Sequence, residues 1–258
     1  MTEPTRTGMG ASLRRIGLIA RHTLREALHL RLTRLIALAG GGLVFSALEL
    51  REFNFGGSEG KFLADFGLGA LGLSGMLLAA LAMAHLFFSS IAGGAACILL
   101  TRPVRRWEFV WGKLAGVFAV LALFSAAIGL VLAGLLVWRG IPVATPVFAC
   151  AVAVLWLKLS LVAAMTLLVC SYAGSALFAS SAGLLLALLG HLRPLAGESG
   201  RLHWLRVWPD FELFDGGALL AAGQVPPAAT LLAVMVYWAG YVMILGQLAA
   251  YAFKRREF

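Results

Sequence analysis

Three sets of residues in this sequence could do chemistry or recognition, and their spacing limits what that chemistry is. Lys158 stands near the middle of the apolar run 146–170. An ammonium at the centre of a bilayer costs about 2.5–3.5 kcal/mol on insertion scales. It therefore faces a cavity or a partner acid on the path of an anionic substrate, or it bonds neighbouring carbonyls, or its span is shifted so that it nears an interface. His85 lies in a second apolar run, 66–91; it is either a packed, hydrogen-bonded histidine or a polar point on the same translocation path. The third set is the run CILLTRPVRRWEFVWGK, 97–113, with the cations Arg102, Arg105, Arg106 and Lys113 and the single acid Glu108. Pro103 suits the first turn of a helix. From Val104 on, Trp107, Phe109, Val110 and Trp111 interleave with the charges at helical spacing. That pattern describes a short amphipathic helix, which lies on lipid headgroups or docks into another protein.

Other chemistry is excluded more simply. A phosphate loop needs Gly, four residues, then Gly-Lys-Ser/Thr. Gly60-Lys61 is followed by Phe62, and Gly112-Lys113 by Leu114. There is no His-Glu-x-x-His pair. The three cysteines, Cys97, Cys150 and Cys170, fall in or beside apolar runs without paired spacing, as small buried hydrophobes do. No catalytic residue, metal site or cofactor is expected in this chain, and it is not expected to be an enzyme.

The elements that would carry these residues are helices in a membrane. Of 258 residues, 61% are apolar and only 13% charged, against about 45–50% and 25% in soluble domains. The fold class expected is an all-α integral membrane protein. Residues 1–10 read as disordered. Residues 11–33 form an amphipathic helix with Leu13, Ile16, Ala20, Leu24, Ala27 and Leu28 on one face and Arg14, Arg21, Arg25 and His29 on another, with Arg15 beside them; such a helix lies in the headgroup plane. Six spans come next within 35–253, at about 35–50, 66–91, 114–138, 146–170, 172–192 and 228–253, and residues 254–258 form a basic tail. The triplet Gly40-Gly41-Gly42 suits close helix approach. Between the fifth and sixth spans, Trp204–Gly223 mixes aromatics with Asp210, Glu212 and Asp215. It is expected to be a re-entrant or interfacial segment, with a short helix beginning at Pro209-Asp210. No cleavable signal peptide is expected, because the first 34 residues hold seven Arg and no unbroken apolar run.

An even number of spans puts both termini on one side. With the N-terminus, the 97–113 loop and the C-terminus together, that side holds fourteen Lys and Arg and the other six. The positive-inside rule makes the first side cytoplasmic, so a multi-pass protein of the inner (cytoplasmic) membrane is expected. The net charge of +9 sits at membrane edges, so no nucleic-acid partner is expected.

The run Leu99–Gly116, LLTRPVRRWEFVWGKLAG, resembles the signature of type-2 ABC transporter permeases: Leu-Leu-(Ser/Thr)-x-Pro-(Val/Ile)-x-Arg, then Gly-Lys before the third span. Leu99, Leu100, Thr101, Pro103, Val104, Arg106, Gly112 and Lys113 stand in register with it. The resemblance extends to the amphipathic N-terminal helix, the six spans and the outer segment. One departure is plain. The family often has Glu-x-Glu-x-Gly-Thr at the end of the second span, where this chain has Ser90, Ala92, Gly94 and Ala95.

The resemblance implies a half-transporter of exporter type: two permease chains, identical or homologous, in the lipid bilayer with two cytoplasmic ABC ATPase subunits. ATP and Mg would be held by the ATPase. The N-terminal helix with Arg14, Arg15, Arg21 and Arg25 would be the elbow helix. Arg102, Pro103, Arg105, Arg106, Trp107, Glu108, Phe109 and Trp111 would couple to the ATPase, with Trp107, Phe109 and Trp111 exposed as anchors. Two readings of other classes stand beside this one: a membrane anchor or assembly scaffold without transport of its own, and a secondary transporter. The latter should show intramembrane acids or broken helices at mid-span, and the spans hold Lys158 but no Asp or Glu at mid-span. ATP dependence separates the first reading from the others.

Overall fold

A computed structural model describes residues 9–49, 59–92, 105–142, 144–193 and 207–255. Among these residues eight α-helices run in chain order: α1 (Met9–His29), α2 (Arg31–Ser46), α3 (Glu59–Ala92), α4 (Arg106–Trp138), α5 (Thr145–Tyr172), α6 (Ala176–His191), α7 (Gly216–Ala222) and α8 (Ala228–Arg255). Four of them (α3, α4, α5 and α8) are long and apolar enough to cross a membrane. A fifth crossing is possible if α1 and α2, bent by 65° at Leu30, count as one span. The fold is an all-α bundle consistent with a multi-pass membrane protein. The six-span expectation meets two short helices. α2 and α6 have 16 residues each, or about 24 Å at 1.5 Å per residue, against a hydrocarbon core of about 30 Å.

The longest helices explain the packing. α3 has 34 residues and α4 has 33, so each is about 50 Å long and exceeds the hydrocarbon thickness. The excess on α4 is its first three turns, where the charges are. The expected short helix before the third span is therefore absent as a separate element within the described residues: Arg106–Trp111 are the opening turns of α4 itself. Arg105 is the N-cap, and its N–H donates to Glu108 Oε2 at 3.1 Å, so the acid three residues on closes the start of the helix. Arg102 and Pro103 lie outside the described residues.

α1 packs on this opening stretch of α4, in the same chain direction. Arg15 meets Glu108, Ile19 meets Gly112, and Thr23 meets Gly116. The glycines permit the approach: a Cβ on Gly112 would stand 2.7 Å from Ile19 Cβ, and one on Gly116 would stand 2.5 Å from Thr23 Cβ and 2.9 Å from the Ala20 carbonyl. The face of α1 that packs is Ile16, Ile19, Ala20, Thr23 and Ala27. Leu13 and Leu28, expected on that face, are exposed. The helix stops short of the expected residue 33 because Leu30 takes an extended conformation (ψ 130°) before α2 begins. Of the expected glycine triplet, only Gly40 is a contact, with Ser74 Oγ 2.7 Å from the position of a Cβ; Gly41 and Gly42 have open space.

α5 is the centre of the bundle, touching α3, α4, α6, α7 and α8. That position explains why Leu159, Leu161, Val162 and Ala163 are fully buried. α8 has the opposite character. Leu232, Met235, Val236, Met243 and Ile244 are exposed, leaving an apolar flank suited to lipid or another chain.

Substituting Gly116→Val puts a branched side chain where a Cβ already collides with α1. Overpacking of this kind costs about 1–3 kcal/mol. The melting temperature of the purified protein should fall, while Gly134→Ala, with open space around it, should leave it unchanged or slightly higher. Equal melting of the two variants would contradict the packing of α1 on α4.

Candidate functional site

The two ends of the bundle differ in charge, and each gathers some of the residues singled out by sequence. At the basic end, the start of α4 is clamped from three sides. Arg15 of α1 pairs with Glu108 at 3.6 Å. Lys113, which is 2% exposed, pairs with Glu26 at 3.4 Å, and the Ser89 hydroxyl of α3 donates to the same carboxylate at 2.9 Å. Arg106 Nη1 donates to the carbonyls of Phe253 and Lys254 at 3.2 and 3.1 Å, placing a cation on the C-terminal end of α8, where the helix dipole favours it. Beneath these polar contacts, Phe87 of α3, Phe109 of α4 and Phe253 of α8 pack as an aromatic triad with ring centroids 5.6–6.1 Å apart, a spacing that aromatic pairs prefer.

This junction changes the reading of the coupling residues. Of the three aromatic anchors expected to be exposed, only Trp107 is, at 38%. Phe109 is buried in the triad, and Trp111 packs over Gly246 of α8, where a Cβ would stand 2.7 Å from its ring. Both are occupied within the chain because the stretch is part of α4 and three helices pack around it. Glu108 is fully buried. Among the described members of the set, Arg105 and Trp107 are exposed. Arg14, Arg21 and Arg25 are exposed along α1, while Arg15 is turned inward to Glu108.

At the acidic end, the segment 207–222 folds into the bundle. Phe211 and Phe214 are buried at 1% and 0% exposure. The segment is pinned by Trp208 Nε1 donating to the Leu186 carbonyl (2.9 Å), Tyr237 Oη accepting from the Asp210 N–H (2.9 Å), and Arg193 pairing with Asp210 (2.6 Å). The expected helix at Pro209-Asp210 is a 3₁₀ turn, Glu212–Phe214, followed by α7, whose first turn is capped by Asp215 accepting from Gly217 N–H at 2.9 Å. Cys150 is a half-buried free thiol, and Cys170 is buried.

Beside this segment a cavity of about 610 Å³ opens between α3, α5, α6 and α7. Lys158, 9% exposed, reaches it, with its Nζ 5.4 Å from the centroid of Phe211. Among the described residues Lys158 forms no ion pair. Asp65 and Asp215 stand on the rim, flanking Gly217, where a Cβ would lie 3.4 and 3.3 Å from their Oδ1 atoms. Lys61 and His191 also line the cavity. His85 does not: it is exposed on α3, nine residues past Met76, the last α3 residue lining it. The structure thus separates the two residues assigned to one path. It also joins Asp215, one of the acids of the 204–223 segment, to Lys158, and adds Asp65 and His191, which the sequence did not single out.

No protein-family model matches the chain, and no curated protein matches it in sequence. The function must be argued from the chain itself. What the geometry establishes is a bundle with a clamped basic end and, towards the other end, a cavity holding a buried amine.

The Glu26–Lys113 pair gives a direct test of the clamp. Lys113→Met strands a half-buried carboxylate, a loss between those of exposed and buried pairs, about 1–3 kcal/mol. Adding Glu26→Gln should restore much of it in thermal denaturation of the purified protein. Additive losses would show that the two side chains do not interact.

Proposed function

We propose that this chain is the membrane permease subunit of an ATP-driven, exporter-type ABC complex, with six membrane crossings and both termini in the cytoplasm. A separate cytoplasmic ATPase engages it through the 102–113 segment. On this reading α2 and α6 are the first and fifth crossings, made short by local thinning or tilt of neighbours, and α1 is the elbow helix.

The observation that carries the proposal is the run of α4 from an exposed Arg105–Trp107 face to Trp138 without a break. A 33-residue helix is a stiff lever. Force applied at Trp107 reaches Arg106, Glu108 and Lys113 within two turns, and through them α8, α1 and α3. A partner that closes on this surface would move four helix ends together. Trp and Arg are the residue types that dominate binding anchors. The departure from the family pattern has a local counterpart. Acids are missing at Ser90 and Ala92, while Glu26 of α1 brings a carboxylate to Ser89. The lever then drives the packing of α3 on α5, which forms two walls of the cavity holding Lys158.

The test uses the exposed aromatic of this surface. Trp107→Ala should abolish co-purification of the ATPase from native membranes while the permease melts normally. An ATPase that still co-purifies in stoichiometric amount would contradict the assigned surface. Bound ATPase without ATP-dependent substrate movement would instead support an assembly scaffold.

A further inference from the structure

We propose that the cavity at Lys158 binds a zwitterionic amphiphile, a phosphate-and-ammonium headgroup on a hydrocarbon chain. The phosphate meets Lys158 and the ammonium faces Asp65 and Asp215. The inference deepens the transport reading by naming a substrate class, and it rests on that reading only for the movement of the bound molecule across the membrane.

Lys158 sets the first requirement. An amine 9% exposed and without an ion pair is costly. Phe211 offers its ring face at 5.4 Å, a cation–π contact, which offsets part of the cost and leaves the ammonium's hydrogen-bonding capacity directed at the cavity. An anionic group placed there would gain charge-assisted hydrogen bonds in a site of low dielectric. A purely anionic ligand would, however, meet Asp65 and Asp215 at the rim. The two carboxylates flank Gly217 without an ion pair to Lys61 or Lys158 among the described residues. A headgroup carrying a positive end answers them.

The shape of the cavity sets a third requirement, for a hydrocarbon chain. Its α3 wall runs from Lys61 to Met76, fifteen residues or about 22 Å. Charge is concentrated at one end, in Lys61 and Asp65, and the rest is Leu68, Gly69, Gly72, Leu73 and Met76. Leu155 and Leu159, which flank Lys158 on α5, pack against Gly72 and Gly75, so the amine enters part-way along the wall, between carboxylates and hydrocarbon. Leu73 and Leu188 are 59% and 58% exposed, leaving the flank open for a chain to lie partly in lipid. The carboxylates stand at one end of the groove, the amine enters further along, and the α3 wall is apolar from Leu68 on, which suits an ammonium, a phosphate and a chain. The volume of about 610 Å³ lies within the usual range for small-ligand sites, about 300–1,000 Å³.

The experiment measures equilibrium binding to the purified full-length chain in maltoside detergent, without ATPase, so that its failure and failure of the transport reading are distinguishable. The probes are lysophosphatidylethanolamine, lysophosphatidic acid and monoacylglycerol. The zwitterion should bind about tenfold or more tighter than monoacylglycerol, the gain expected for one charge-assisted contact. Lys158→Met should erase that preference, and Lys158→Arg should keep it. Asp65→Asn with Asp215→Asn should weaken the zwitterion and strengthen lysophosphatidic acid; Asn at 215 also caps a helix well, so α7 is retained. The proposal is overturned if monoacylglycerol binds as well as the zwitterion, if Lys158→Met changes nothing in a protein of normal melting temperature, or if lysophosphatidic acid binds the unaltered chain more tightly than the zwitterion.

Discussion

The structure depends on the close contact of α1 with the first three turns of α4. Gly112 and Gly116 remove the side chains that would hold the helices apart, and two ion pairs, Arg15–Glu108 and Glu26–Lys113, fix the register. Dispersion at short range is weak per atom but adds over a helix face. The ion pairs are oriented by helices that are already fixed, so they lose less to side-chain entropy than free surface pairs do. Without α1, Glu108 would lose its guanidinium partner and Lys113 its carboxylate.

From that contact the packing extends in both directions along α4. Towards the basic end, Arg106 caps α8, and Phe109 joins Phe87 and Phe253. Four helix ends are thereby tied to one short stretch of chain. Along the bundle, Trp156 and Trp238 carry the packing into the central helix. Trp156 Nε1 donates to the Phe118 carbonyl at 3.0 Å, and Trp238 Nε1 to Ser160 Oγ at 2.6 Å. Lys158 lies between these two α5 residues, and its amine reaches the cavity under Phe211. A displacement at the start of α4 therefore has a continuous packed route to α5.

Much of the architecture was legible in the sequence, for reasons of length and hydropathy. The apolar runs at 66–91, 114–138, 146–170 and 228–253 each fall inside a long helix, because a stretch of about 20 apolar residues has few alternatives. The amphipathic character of 11–33 was also visible, yet its packed face was not. Gly112 and Gly116 select Ile19 and Thr23, a choice made by a helix far away in the chain. The same limit hid the continuity of α4. A charged, aromatic run after a proline looks like a separate surface helix when its partners are unknown. Glu108 and Lys113 become interior residues only once Arg15 and Glu26 arrive. At the site, Lys158 was conspicuous as a cation in an apolar run. Asp215 was visible as an acid of the expected outer segment; Asp65 and His191 were not, because nothing marks either until the 207–222 segment folds against α3 and α6.

The central claim is the in-register contact of α1 and α4, and disulfide trapping in native membranes tests it most directly. With Cys97, Cys150 and Cys170 replaced by Ala, the pairs Ile19→Cys with Gly112→Cys and Thr23→Cys with Gly116→Cys put Cβ atoms about 1 Å closer than the ~3.8 Å a disulfide takes, a gap that slight separation of the helices supplies. Mild oxidation should join both pairs and leave the crossed pairs, Ile19→Cys with Gly116→Cys and Thr23→Cys with Gly112→Cys, unlinked. Equal trapping of crossed and matched pairs, or no trapping of either, would contradict the account.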